Sequence, residues 1–501
     1  MFSLHHSLRP SSVRITAAVL LFSLIFVSRI HAQDAEITLQ KLREQVEEQS
    51  RRLDQLEADN AASISRLNVS ENEDFQSIES RLSSLESESA ETLAAASEFL
   101  ESPSTESLRR STGRLHLDYW GFPQASGGIN RIETGDPLNS VNDRFELRRI
   151  RLGVRGSVPP QNVSYQLDLE FAGVDQIGIR DAWIGIDDLG IFDTVRVGNQ
   201  KRPYALAQLN SSNFTVFIER PYVAEAVNDP NRRFGIQSFG VSDDQRLNWR
   251  YGVFNLVPID EFGFISSNSY QTEVAGRIAS TAWHDRSTID ECYLHLGISS
   301  SFAFPSQNSE KTTARFRSRP EARSINRWLD TGFIGSTQSY QLLGTESVLN
   351  VGSLQMGAEY IHLWSQRGDG FNDLYFHGGY VYLSHFLTGE YIPWNRVMGI
   401  LGRVEPFRDV IGNNRSCTSG CGAWQWAVRG SFADFNDENI NGGRAAGFTV
   451  ALNWYWNSHT RLQFNYLAGD ISDRAVASST APSELVSGDY QILGSRFMID
   501  Y

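Results

Sequence analysis

The sequence has very little lysine, few cysteines and, beyond its first 32 residues, no long hydrophobic run. The missing hydrophobic runs exclude a bundle of membrane-spanning helices, since each such helix needs about 20 apolar residues in a row. They do not exclude a membrane barrel, because barrel strands alternate polar and apolar residues and are only half apolar. With 501 residues, of which 41% are hydrophobic, the chain is also too long for one ordinary soluble domain.

Lysine occurs only at Lys41, Lys201 and Lys311, so nearly all basic residues are arginines. The guanidinium fork suits paired hydrogen bonds with oxyanions. The acidic residues are unevenly spread: residues 33–108 contain 18 acidic and 6 basic residues, a net charge of −12, against −14 for the whole chain. The net negative charge of the chain therefore lies mainly in residues 33–108, and it says little about the function of residues 109–501.

The three cysteines favour an exported protein with at most one disulfide. Cys417 and Cys421 lie close together in a stretch rich in Ser, Gly and Asn. We expect them to form a local disulfide, as exported proteins allow. The alternative, a metal site, lacks nearby histidines. Cys292 is left over, and we expect a buried or strand thiol there.

The first 32 residues are typical of a secretory signal peptide. Arg9 and Arg14 precede a short apolar stretch, and Ile30-His31-Ala32 is a suitable cleavage site. The alternative, a membrane anchor helix, needs a longer apolar stretch than this one. We therefore expect residues 1–32 to be removed on export.

Residues 33–100 carry a heptad pattern, with Leu39, Leu42, Val46, Leu53 and Leu56 spaced three and four apart. This pattern predicts a periplasmic coiled coil. Such a coil would oligomerise the protein or reach a partner such as the cell wall, and the alternative is a single solvated helix. Residues 101–112, which contain Pro103 and many Ser, Thr and Arg, indicate a linker.

From residue 113 to residue 501 the hydrophobic period is two. Near the C-terminus, for example, Leu493, Phe497, Ile499 and Tyr501 share one face, opposite Arg496. Segments of about ten alternating residues separated by turn residues are typical of a membrane barrel. The pattern therefore predicts an all-β fold: a transmembrane antiparallel β-barrel of about 16 strands, preceded by an N-terminal α-helical coiled coil. A soluble β-sandwich is the alternative.

The most informative strand is Arg148–Gly156. Alternation places Arg149, Arg151 and Arg155 on one face, and Ile150, Leu152 and Val154 on the other face. In a soluble sheet such an arginine face would be a solvated outer surface, whereas in a membrane barrel it would line a pore. The signal peptide and the sustained alternation favour the pore. A register shift of one residue would reverse the assignment.

Several short motifs occur in an order that resembles one family of bacterial channels. They are Gly113-Arg114-Leu115-His116-Leu117-Asp118-Tyr119, Phe145-Glu146-Leu147-Arg148-Arg149, Arg180-Asp181-Ala182-Trp183, Val197-Gly198-Asn199-Gln200-Lys201, Ile218-Glu219-Arg220, Leu387-Thr388-Gly389-Glu390 and Asn453-Trp454-Tyr455. Together they resemble the phosphate-selective porin O/P family of the outer membrane. The resemblance covers most of residues 113–501.

This resemblance implies a trimeric barrel of sixteen strands with a long loop, within residues 203–232, folded into the lumen. The pore positions that it implies are Arg114, Arg148, Arg149, Asp181 and Arg220. Arg151 and Arg155 are added from strand alternation alone. The phosphate-selective members place lysines in the inward loop, but here those positions fall near Gln208 and Asn213, which are uncharged.

We therefore expect an outer-membrane porin that passes small anions passively, phosphate or other oxyanions among them. We expect no cofactor, no metal and no nucleic-acid partner. A structural tether that acts through the coiled coil is one alternative. An outer-membrane hydrolase is the other, although no hydrolase motif is present and only His116, near Asp118, suggests part of a catalytic pair.

Overall fold

A computed structural model describes residues 110–501 except 159–161, 173–176, 260–270, 286–290, 309–310, 411–419 and 477–483. The predicted signal peptide, the coiled coil, most of the linker and Cys417 lie outside the described residues. The described part is almost entirely β. Its strands are β1 (Arg110–Ala125), β2 (Arg144–Val158), β3 (Val163–Glu170), β4 (Gly178–Ile186), β5 (Thr194–Gln200), β6 (Arg233–Val241), β7 (Leu247–Asn255), β8 (Thr272–Asp285), β9 (Cys292–Phe304), β10 (Arg317–Ser318), β11 (Leu329–Asp330), β12 (Thr337–Val351), β13 (Leu354–Arg367), β14 (Leu374–Phe386), β15 (Trp394–Asn395), β16 (Ile400–Leu401), β17 (Ala423–Asp437), β18 (Ile440–Asn457), β19 (Thr460–Val476) and β20 (Glu484–Asp500).

Sixteen of these strands form a closed antiparallel barrel, which confirms the predicted fold class for the described part of the chain. Each barrel strand pairs with the next one, and β20 pairs with β1 so that Arg114 lies opposite Asp500. The two other pairs, β10–β11 and β15–β16, are small separate sheets. We call the end of the barrel where β1 begins and β20 ends the terminal rim, and the opposite end the far rim.

Three connections fold into the barrel instead of passing outside it. The inward loop (201–232) joins β5 to β6 at the far rim and contains two short helices, α2 (Leu206–Leu209) and α3 (Tyr222–Ala226). The far-rim insertion (305–336) contains β10 and β11, and the terminal-rim insertion (387–410) contains β15 and β16. A longer helix, α1 (Gly127–Thr134), follows β1. No described helix is long and apolar enough to cross a membrane.

Hydrogen bonds tie these segments to distant strands. The Val216 carbonyl of the inward loop accepts hydrogen bonds from Asn453 at 2.9 Å and Gln463 at 3.2 Å, so this loop crosses the lumen to β18 and β19. The terminal-rim insertion meets the inward loop, because the Leu401 amide donates to the Asn210 side chain at 3.0 Å. The two segments thus touch each other within the barrel.

Apolar side chains inside the barrel form two clusters. One combines the far-rim insertion and the inward loop with strands that include β1, β12–β14 and β17–β20, and it contains Trp120, Trp328 and Phe376. The other packs the terminal-rim insertion, through Trp394 and Leu401, against β9, β12, β14, β17 and β18. None of the described residues of β2–β6 belongs to either cluster. One side of the lumen is therefore filled by a packed core, and the side along β2–β6 stays polar.

The outer wall is not uniform. On β13–β20 aromatic rings lie near both rims: Trp424 stacks on Trp454 at 5.0 Å, and at the other end Trp364 lies 5.7 Å from Tyr375. Such paired girdles are typical of a wall that faces lipid. Strands β3–β7 are only 7 to 9 residues long. That length is at or below the roughly 9–11 residues that a strand needs to cross a bilayer.

Candidate functional site

The candidate site is the polar side of the lumen, bounded by β1–β6 and the inward loop. Strand alternation brings charged side chains there, because the alternate residues along each strand point outward, away from the lumen. Ile184 and Ile236, for example, are 61% and 54% exposed on the outer face. The inward-facing residues of β2 and β3 include Arg149, Arg151 and Glu170, all buried within the barrel.

A β-bulge explains why two consecutive arginines both point inward. His116 lies opposite Arg149, but Leu117 lies opposite Leu147, so Arg148 is an extra residue on β2. Such a bulge adds one residue to one strand and shifts the alternation of the residues beyond it. Arg148 and Arg149 both reach the lumen for this reason. The sequence pattern alone placed Arg149 inside and did not account for Arg148.

Arg148 forms a forked ion pair with Glu219 of the inward loop, with Nε and an Nη nitrogen 2.8 and 3.2 Å from the two carboxylate oxygens. Glu219 also accepts a hydrogen bond from Arg496 at 2.8 Å, and Arg496 forms a second fork with Asp118 at 2.6 and 2.7 Å. Arg149 contacts His116 at 3.3 Å and has no carboxylate partner among the described residues. The ion pairs join β1, β2, β20 and the inward loop.

The other charged positions implied by the sequence differ in their surroundings. Arg151 is paired with Glu170 at 2.6 Å, and Asp181 is paired with Arg232 at 2.5 Å. Arg155 lies opposite Arg110 and Gln166 near the terminal rim, where its side chain is exposed. These positions lie around the polar side of the lumen. Arg151 and Asp181 are each balanced by a side chain of opposite charge.

Three basic residues bind neutral oxygen atoms of the inward loop. Arg114 donates to the Ser212 hydroxyl at 3.0 Å, and Lys201 donates to the carbonyl of Leu209 at 2.9 Å. Arg220 donates to the Ala207 carbonyl at 2.9 Å. These partners are uncharged, and among the described residues no carboxylate forms an ion pair with any of the three basic side chains where the inward loop crosses the lumen.

The two uncharged loop positions have structural contacts. Gln208 is buried, with 2% of its surface exposed. Asn213 donates a hydrogen bond to Asp500 at the end of β20. Lys201, the first residue of the inward loop after β5, supplies a lysine near them, since it donates to the Leu209 and Asn210 carbonyls. The motif Val197–Lys201 pointed to this position, but the sequence did not show that the ammonium group contacts the carbonyls around Leu209.

A second cationic region, the far-rim cavity, lies between the far-rim insertion, α1 and β19, and the sequence pattern did not predict it. It has a volume of about 560 Å³ and its lining includes Arg131, Arg315, Arg317, Arg319, Arg327 and Arg474. The close spacing of arginines in residues 315–327 could have indicated this cavity in the sequence. The same spacing is also typical of a solvated extracellular loop, so the sequence alone does not distinguish the two.

Carboxylates balance part of the charge of the far-rim cavity. Arg317 pairs with Asp229 at 2.6 Å, Arg327 pairs with Glu225 at 2.9 Å, and Arg315 pairs with Asp330 at 2.5 Å. Burial raises the pKa of Glu225, although Arg327 opposes the shift. Burial is the largest single influence on Asp330 and raises its pKa, but the hydrogen bonds from Arg315 and the Gly332 amide, together with the charges of Arg315 and Arg474, hold the pKa of this carboxyl below its usual value.

Other candidates from the sequence do not form reactive sites in the described residues. His116 contacts Arg149 and the Asp118 carboxylate is held by Arg496, so the described hydrogen bonds do not join His116 to Asp118. Cys421 is exposed, and its predicted partner Cys417 lies outside the described residues, so the disulfide remains a prediction. Within the described ranges, no three His, Cys, Asp or Glu side chains converge in a way that could hold a metal.

Residues 113–501 match the family described as phosphate-selective porin O and P. The chain belongs to this porin family. The match begins within β1 and ends with the last residue, so it spans the whole barrel. Membership makes the protein a porin of the outer membrane and favours a channel over an enzyme.

The chain is also similar, at low identity, to other known proteins and solved structures. An uncharacterized protein of Caulobacter vibrioides is 25% identical over 404 residues, 78% of this chain and 74% of its own length. A loop-deletion mutant of the Vibrio cholerae outer-membrane protein OmpT is 10% identical, with a TM-score of 0.46 over 79% of this chain and all of its own. An anion-selective porin of Comamonas acidovorans is 13% identical, with a TM-score of 0.45 over 79% of this chain and all of its own.

Proposed function

We propose that this porin lets small anions, including phosphate and other oxyanions, diffuse passively across the outer membrane. Anions would enter at the far rim, collect in the arginine-lined cavity and pass along β1–β6 to the periplasm at the terminal rim. Nothing in the proposal requires energy coupling, a cofactor or a metal.

One observation carries this proposal: Arg114, Lys201 and Arg220 bind only neutral oxygens at the inward loop. A narrow passage with low-dielectric walls focuses the field of such cations and raises the local concentration of anions. Rings of charged side chains set the preferred sign of the permeating ion in this way. The forked geometry of the arginines would favour oxyanions in particular.

Uptake into proteoliposomes tests the proposal. Labelled phosphate should enter vesicles that contain the purified protein faster than labelled lysine, since the passage would repel a cation. Equal rates, or faster entry of lysine, would contradict anion preference. Block of the chloride current by inorganic phosphate tests the narrower part, and an unblocked current would remove phosphate from the proposed substrates.

We also propose that the protein is a homotrimer whose copies meet at the outer wall of β3–β7. The short strands of this wall support the proposal. In a bilayer, the ends of such strands and the polar loops next to them would lie within the hydrocarbon layer, whereas a neighbouring copy would cover them. Its outward side chains are largely aliphatic, as at Ile184, Val197, Ile236 and Val253, which are 43 to 61% exposed. Cross-linking in membranes should give a trimer, and a monomer would contradict this assignment.

The N-terminal part completes the proposal. Residues 1–32 would be removed on export, and residues 33–100 would form a coiled coil in the periplasm, joined to the barrel by the linker within residues 101–112. The coil could strengthen the trimer or contact the cell wall. Its acidic composition and heptad spacing support a solvated coil.

A further inference from the structure

We propose that Glu219 is a built-in competitor for the permeating anion and sets how tightly the passage holds it. The proposal rests on the proposed anion function and adds a specificity-determining residue to it. Glu219 occupies the position that an oxyanion would take at Arg148. Its carboxylate therefore competes with the permeating anion for the Arg148 guanidinium group.

The geometry of the pair supports this role. Both carboxylate oxygens of Glu219 accept hydrogen bonds from Arg148, in the forked arrangement that guanidinium groups also offer to phosphate. No other acid makes a hydrogen bond or a close ion pair with Arg148 among the described residues. Without the carboxylate, both donors of this fork would be open to an anion.

The Arg496–Asp118 pair and the Arg148–Glu219 pair differ in burial, and this difference indicates that they have different roles. Arg496 and Asp118 have no exposed side-chain surface, whereas the side chains of Arg148 and Glu219 are 18% and 10% exposed. Arg496 and Asp118 therefore act as a structural clamp for the barrel wall. Arg148 and Glu219 form the part of the network that reaches the open side of the lumen.

A channel gains from such a competitor because conduction needs binding that is weak enough for release. Arg148, Arg149 and Arg496 lie together at this point, and two carboxylates, Asp118 and Glu219, oppose them. Removal of the Glu219 charge would leave a stronger positive site. The permeating anion would then bind more tightly and leave more slowly.

The test compares the block of single-channel chloride current by inorganic phosphate in the full-length protein and three variants. Glu219→Gln should lower the half-blocking phosphate concentration about tenfold, because the neutral amide leaves the charge of Arg148 without its counter-ion and keeps an acceptor for only one of its two donors. Arg148→Gln combined with Glu219→Gln should cancel this gain. Asp244→Asn is the matched control, because it removes one negative charge at an exposed turn between β6 and β7.

Each outcome decides one claim. If Glu219→Gln and Asp244→Asn behave alike, or if the double variant keeps the full gain, Glu219 does not act through Arg148 and the inference is wrong. A wild-type channel that prefers cations would instead contradict the proposed function itself. Circular dichroism and thermal unfolding in detergent establish that each variant is folded, and the phosphate-free single-channel conductance and current noise show separately whether the inward loop has loosened.

Discussion

At the residue scale, buried ion pairs fix the barrel wall around the passage. Arg496 is fully buried and donates two hydrogen bonds to Asp118 and one to Glu219. Removing one partner of a buried pair leaves an uncompensated charge in a poorly solvated site. The stability of this region therefore depends on Arg496 more than on any exposed arginine.

We predict that Arg496→Ala lowers the free energy of unfolding by about 3–5 kcal/mol, because Asp118 stays buried without its partner. Arg444→Ala should change it by less than about 1 kcal/mol, since Arg444 is half exposed on the outer wall and its ion pairs are screened. Denaturant unfolding in detergent measures both values. Equal effects of the two substitutions would show that the Arg496 pair is not buried in the folded protein.

Arg114 gives a residue-scale prediction for selectivity. Its hydrogen-bond partner is the neutral Ser212, so its charge acts on the passage without a direct counter-ion. Arg114→Gln should lower the anion-to-cation permeability ratio by roughly twofold, because one focused charge is lost. Reversal potentials measure the ratio, and Arg444→Gln serves as control. A ratio that stays at the wild-type value in Arg114→Gln would place Arg114 outside the ion pathway.

Only part of this site follows from the sequence. Alternation alone predicts that Arg149 and Arg151 share a face. It cannot predict the bulge that brings Arg148 to the same face, because no local residue pattern marks it. The partners of the arginines were equally hidden: Arg148 and Glu219 are 71 residues apart, and their contact exists only once the inward loop has crossed the lumen.

At the scale of the element, the inward loop is held in place at both sides of the lumen. Glu359 on β13 is buried and accepts hydrogen bonds from the backbone amides of Leu206 at 2.7 Å and Ala207 at 3.2 Å. These amides belong to the first turn of α2 and have no partner within that helix. Glu359 therefore anchors the part of the loop that carries the oxygens bound by Lys201 and Arg220.

We predict that Glu359→Ala loosens the inward loop and increases single-channel conductance and current noise. Two buried amides lose their acceptor, at a cost of about 1–3 kcal/mol each. Glu359→Gln keeps one acceptor oxygen and should have a smaller effect. Single-channel recording separates the variants. Wild-type conductance and noise in Glu359→Ala would mean that Glu359 does not hold the loop.

The strands were more predictable than the inserted segments. Alternating hydrophobicity depends only on neighbouring residues, and it predicts the barrel and its approximate number of strands. The far-rim and terminal-rim insertions are fixed by contacts with distant strands, such as the hydrogen bond from Arg250 to the Met398 carbonyl. The arginines of residues 315–327 are therefore evident in the sequence, but their position inside the lumen is not.

At the scale of the whole molecule, the barrel is closed by its own strands. The pairing of β1 with β20 uses no residue before Arg110, and Ser107–Tyr501 form a compact unit by themselves. A chain that lacks residues 33–100 but keeps the predicted signal peptide should therefore insert and conduct with the wild-type single-channel conductance. A loss of conductance would show that the predicted coiled coil contributes to the pore.

The central claim is that the polar side of the lumen prefers anions. The reversal potential of the purified wild-type protein in a planar bilayer, measured across a potassium chloride gradient, tests this claim most directly. The cations held at neutral oxygens by the inward loop predict a potential whose sign shows that chloride is more permeant than potassium. A potential of the opposite sign would contradict the account, since the field of Arg114, Lys201 and Arg220 would then not govern permeation.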